Sequence, residues 1–76
     1  MASGEDHAVI CHLDELLAAR GMTLTQLSES VGVTIANLSI LKNNRARAIR
    51  FTTLTAICHV LGCDVGDLFS VSESES

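Results

Sequence analysis

Residues 22–44, MTLTQLSESVGVTIANLSILKNN, decide how this chain folds. Thr23 is followed three residues later by Gln26, the spacing of a capping box, which predicts a helix beginning at Leu24. Leu24, Leu27 and Val31 then recur at helical spacing and form its buried stripe. Gly32 falls where a tight turn wants a positive φ, and Val33 plugs that turn from inside. Thr34 caps a further helix running from Ile35 to about Asn43, with Leu38 and Leu41 as its inward pair. Asn43-Asn44 end it, because asparagine tolerates the left-handed conformation. The segment reads helix, glycine turn, helix, with the two helices crossing steeply over a short turn.

On the N-terminal side, Leu13, Leu16, Leu17 and Arg20 follow helical spacing. Asp14 and Glu15 occupy the first turn, where the helix dipole favours acids, and Gly21 supplies the stop. The preceding Ala8-Val9-Ile10-Cys11 either extends this helix or forms a short strand, and periodicity does not decide. On the C-terminal side, 45–50 reads as a connecting loop. Thr52 or Thr53 is expected to cap a fourth helix with Leu54, Ile57, Cys58 and Leu61 on one face, ended by Gly62. Asp64 caps a short fifth helix, with Asp67 in its first turn and Val65, Leu68 and Phe69 facing in. The expected organisation is a loose N-terminus over 1–7, one domain over 8–70, and a loose Ser/Glu tail over 71–76.

Composition narrows the class. Seventy-six residues make one domain, which buries only about 60–65% of the surface its unfolded chain exposes. Phe51 and Phe69 are its only aromatics, so aliphatic side chains must supply the packing. Apolar residues reach 47%, a large share for so small a surface to hide, and this points to a homodimer that buries some of them. No apolar run approaches the ~20 residues that span a bilayer. The start, Met1 to Asp6, has no basic n-region and does not resemble a signal peptide, so a cytoplasmic location is expected. Three cysteines without framework spacing fit reduced thiols.

Charge is segregated. The net charge is −4, yet no Asp or Glu lies between Glu29 and Asp64, and Lys42, Arg45, Arg47 and Arg50 fall within nine positions. A positive field next to a pair of crossed helices suits a polyanion, double-stranded DNA above all. Its bland reading is a solvated loop.

The whole segment 22–44 resembles the helix-turn-helix of the Cro/lambda-repressor (XRE-like) family, through Leu27, Val31, Gly32, Val33, Leu38 and Leu41 with Thr23 and Thr34 as caps. Residues 50–69 resemble that family's fourth and fifth helices. The resemblance spans roughly 10–70. It implies an all-α, five-helix lambda-repressor-like domain, with room for a short N-terminal strand. It further implies a DNA-binding transcriptional regulator, repressor-like and dimeric, that needs no cofactor. By the same resemblance Ile35, Ala36, Ser39 and Ile40 face the bases, with Thr34, Asn37 and Asn43 as polar candidates. Amides near Thr23 meet a phosphate. Lys42, Asn43, Asn44, Arg45 and Arg47 hold the backbone, and Arg50 lies near a minor groove. Here the chain departs from its relatives. Two isoleucines and an alanine cannot make the bidentate hydrogen bonds that distinguish guanine or adenine, although they can meet thymine methyls. Leu24 also stands where relatives commonly place a phosphate-binding Gln.

Three readings of Ile35 and Ile40 stay open: contact with thymine methyls, docking of a partner protein, or one of them belonging to the core. Partner docking makes an antitoxin-like or anti-repressor interaction module the alternative function. Cys11-His12 and Cys58-His59 with Cys63 invite a zinc reading, but no CxxC or HxxxH pair is present, and no metal site is expected. Cys58 and His59 are adjacent, so on a helix they point roughly 100° apart and make a poor nucleophile–base pair. No enzyme is expected.

Overall fold

The computed structural model describes residues 8–72. They form β1 (Val9–Cys11), α1 (Leu13–Arg20), α2 (Leu24–Val31), α3 (Ile35–Lys42), α4 (Phe51–Leu61), α5 (Val65–Leu68) and β2 (Phe69–Val71). One aliphatic core holds them together: Leu13, Leu17, Leu27, Leu38, Leu41, Ile57, Cys58, Leu61 and Leu68 are all buried. Leu13, Leu27, Leu38, Ile57, Leu61 and Leu68 are nearly or wholly solvent-free, and each such side chain stabilises the fold by about 1.5–3 kcal/mol. Cys58 serves as a small core side chain.

The helix-turn-helix forms where its local signals stand. Thr23 Oγ1 accepts from the Gln26 amide at 3.1 Å while Gln26 Oε1 accepts from the Thr23 amide at 2.9 Å, closing the capping box. Gly32 takes φ 72° with no atom within 4 Å of an added Cβ, so conformation rather than space demands glycine there. The Ser28 hydroxyl donates to the Val33 carbonyl at 2.6 Å and ties the turn back to α2. Thr34 Oγ1 accepts from the Asn37 amide at 3.1 Å and starts α3.

Elsewhere the structure departs from expectation. Neither Thr52 nor Thr53 caps α4. The helix starts at Phe51, Arg50 holds the extended cap position, and no side chain caps it. Burial of Ile57, Cys58 and Leu61 sets the phase of α4, and the Arg50 carbonyl already accepts from the Leu54 amide at 2.9 Å. Val65 points out and is 51% exposed, because Leu68 alone fills the space under α5. Phe69 is not helical. It opens β2, which pairs antiparallel with β1 in the register Val9↔Val71, Ile10↔Ser70, Cys11↔Phe69. The undecided segment before α1 is therefore a strand. Val71, expected in the loose tail, is ladder-bonded, and the Ser72 amide bonds the Ala8 carbonyl. The rest of the expected tail, and the expected loose start, lie outside the described residues.

Candidate nucleic-acid interface

Leu38 and Leu41 anchor α3, at 1% and 7% exposure, and thereby fix its rotation. Ala36 and Ile40, one helical turn apart, face away from that anchor, while Ile35 and Ser39 flank it. Ile35 is 44% and Ile40 45% exposed, so neither belongs to the core; Ala36 is exposed and Ser39 half-buried. Asn37 is also exposed, with its backbone amide held by Thr34.

After Lys42 the chain turns sharply. Asn43 is the C-cap of α3, and Asn44 adopts φ 65° while the Arg45 amide bonds the Ile40 carbonyl at 3.0 Å. The Asn44 side chain does a second job: its Oδ1 accepts from the Cys11 amide at 2.7 Å and pins the loop to β1. Residues 45–50 then run beside α3 to the start of α4. Thr34, Asn37, Ile40, Arg45, Arg47 and Arg50 line one concave surface between α3 and this loop, and Thr53 of α4 completes it. The three arginines are exposed. The cationic loop and the Thr34, Asn37 and Ile40 side of α3 thus share this surface, whereas Ile35, Ala36 and Ser39 do not line it.

Not every residue named from sequence gathers there. Lys42 stands one turn beyond Leu38, on the side of α3 toward α1, and its Nζ lies 3.2 Å from Asp14 Oδ2 on that helix. It joins two helices rather than extending the cationic rim. Thr23 sits at the start of α2 with its hydroxyl occupied by the capping box. Asn44 keeps only its amide nitrogen uncommitted to the β1 contact. Two residues escaped the sequence reading. Thr53 reads there as a cap candidate but lies in the concavity, and Phe51, beside Arg50, is 81% exposed. A lone aromatic in a helical pattern carries no signal that separates core from surface.

The remaining reactive groups are structural. Burial pushes the Cys11 thiol up, with Asp14 adding to the effect and the Leu13 backbone amide opposing it. Burial also raises Cys63, helped by the adjoining Cys58 thiol and by Asp67, with Arg20 opposing. Both thiols stay protonated near neutral pH. Among the described residues, no three of His, Cys, Asp and Glu converge, and no helix is long and apolar enough to cross a membrane. Arg20 reaches from α1 to the end of α4, where Nε donates to the Leu61 carbonyl and Nη2 to the Gly62 carbonyl at 3.4 Å, capping that helix end.

Comparison with known proteins gives the family. Residues 12–74 match the model of the Cro/C1-type HTH DNA-binding domain. The chain is 53% identical over 68 residues to the uncharacterized HTH-type transcriptional regulator YozG of Bacillus subtilis (strain 168), an alignment covering 90% of this chain and 81% of that protein. The crystal structure of transcriptional regulator VanUg, Form II, superposes with a TM-score of 0.73 at 32% identity, covering 95% of each chain.

Proposed function

The chain belongs to the Cro/C1-type helix-turn-helix DNA-binding family, and from that premise we propose that it is a repressor-like transcriptional regulator acting on duplex DNA as a homodimer. The supporting observation is the shared concave face, which sets α3 beside Arg45, Arg47 and Arg50 in a chain that is otherwise acidic. Thr34 to Ile40 enter a major groove about 12 Å wide, and the loop arginines neutralise flanking phosphates. The polar contacts beyond the arginines are Asn37, Ser39, Asn43 and the amides at the start of α2 near Thr23. Lys42 drops out of the contact set, because Asp14 already balances it. Exposed Val65 and Val71 supply apolar area for a second copy, whereas Leu68 closes the core of its own chain. Two subunits related by a two-fold axis address half-sites about 34 Å apart.

Three cations per subunit give a dimer a slope of log K against log salt of about −5. A mobility-shift titration at several salt concentrations measures it, and a slope near zero defeats the proposal. Arg45→Ala combined with Arg47→Ala weakens binding to all duplexes alike, while Lys42→Ala leaves affinity within about twofold. A competing reading, docking of a protein partner on Ile35 and Ile40, draws on their exposure. Under it Ile35→Lys abolishes partner capture, and the salt slope for DNA is absent.

A further inference from the structure

We propose that α3 selects DNA chiefly by the C5 methyl groups of thymine, through Ile35, Ala36 and Ile40, with hydrogen-bond readout limited to Asn37 and Ser39. The inference rests on the DNA-binding reading above and names what that site recognises. Its starting point is the helix rotation. With Leu38 and Leu41 buried, the exposed side chains of α3 are Ile35 at its first position, Ala36, Asn37 and Ile40. Asn37 lines the concavity with the loop arginines. Ser39 is half-buried and offers one hydroxyl. Lys42, the one charged residue of the helix, is held toward α1 by Asp14.

Apart from Asn37, the exposed side chains of α3 are thus aliphatic, beside a cationic loop. The arginines bring any duplex to this face, but they lie in the loop and speak to phosphates without reading sequence. In the major groove the base edges offer hydrogen-bond donors and acceptors, plus one apolar feature, the thymine methyl. An isoleucine set against a guanine or cytosine edge desolvates polar atoms and returns nothing to them. Set against a thymine methyl, it removes apolar surface from water on both sides. Two isoleucines about 45% exposed in the free protein have that surface left to bury. The preferred target is therefore a site with thymines, or other 5-methylpyrimidines, at the positions under α3. 5-Methylcytosine presents the same methyl in the same groove.

The test uses the full chain and four duplexes of equal length: alternating dA-dT, alternating dA-dU, alternating dG-dC, and the last with every cytosine 5-methylated. Each pair differs by the methyl alone in the major groove. The wild type is expected to bind the methylated member of each pair more tightly, by about fourfold for each methyl buried. Ile35→Ala with Ile40→Ala, both at exposed helix positions, is expected to reduce that preference to less than twofold while the salt slope stays at its wild-type value. A thermal melt of the variant checks that its fold is intact. Equal wild-type affinity within both pairs, with the salt slope retained, overturns the methyl readout and leaves the DNA-binding reading standing. A preference that persists undiminished in the double variant also overturns it, since duplex shape would then be its source. Binding to none of the four duplexes at low salt defeats the underlying DNA-binding proposal itself.

Discussion

The helix-turn-helix segment and the terminal sheet are held by different kinds of information. From Thr23 to Asn44 every start and stop has its own local device: a capping box, a left-handed glycine, a threonine cap and a left-handed asparagine. The sheet has none. β1 and β2 are three residues each, come from opposite ends of the described chain, and exist because α1 and α5 bring those ends side by side. The segment that carries the proposed function is thus locally specified, and the part that closes the domain depends on everything between. Asn44 connects the two, ending α3 by its backbone and holding β1 by its side chain.

This contrast can be broken or refined by substitution. Leu38→Ala should cost the most, about 2–5 kcal/mol, because it removes a side chain on which α3 and the shared core both rest. Urea denaturation reads it directly, and a loss below about 1 kcal/mol would mean that α3 does not depend on that anchor. Gly32→Ala is expected next, at about 1–2 kcal/mol, all of it from forcing a Cβ into the left-handed region since no neighbour is close. A neutral result would remove the turn from the set of local devices. Asn44→Ala should cost about 1–2 kcal/mol, through an orphaned Cys11 amide and a strained φ. Hydrogen exchange at Cys11 should accelerate more than exchange within α2, and uniform acceleration would argue that loop and strand are not linked as described. Val71→Ser is expected to be smallest, within about 0.5 kcal/mol, since that side chain is 69% exposed in the lone chain. In the proposed dimer it gains importance, so a concentration-dependent loss of stability would assign Val71 to the seam between subunits.

Much of the candidate site was legible for the same reason that its segment is locally coded. Helical spacing placed Leu38 and Leu41 inward, and geometry then leaves Ala36 and Ile40 outward, while Ile35 is exposed at the start of the helix. The run free of acids around Arg45, Arg47 and Arg50 announced the cationic loop. Charge patterning counts residues and not directions: Lys42 shares the run, but its ammonium lies 3.2 Å from Asp14 of α1. Thr53 was misread because a threonine near a helix start has the same local appearance whether it caps or lines a cavity. Phe51 and Val65 look like core residues in composition and lie on the surface because Ile57, Cys58, Leu61 and Leu68 already occupy the available interior.

The amino-acid order alone therefore determined the helices, the turn between α2 and α3, and which face of α3 turns outward. Each of these follows from contacts within a few residues, where backbone conformation and helical periodicity act without reference to the rest of the molecule. Only tertiary structure decided that the start of the domain is a strand, that Lys42 pairs with Asp14 of α1, and that the loop arginines share one surface with Thr34, Asn37 and Ile40 of α3. Those outcomes depend on which distant segments meet, and a one-dimensional pattern carries no distance between residues separated by dozens of positions.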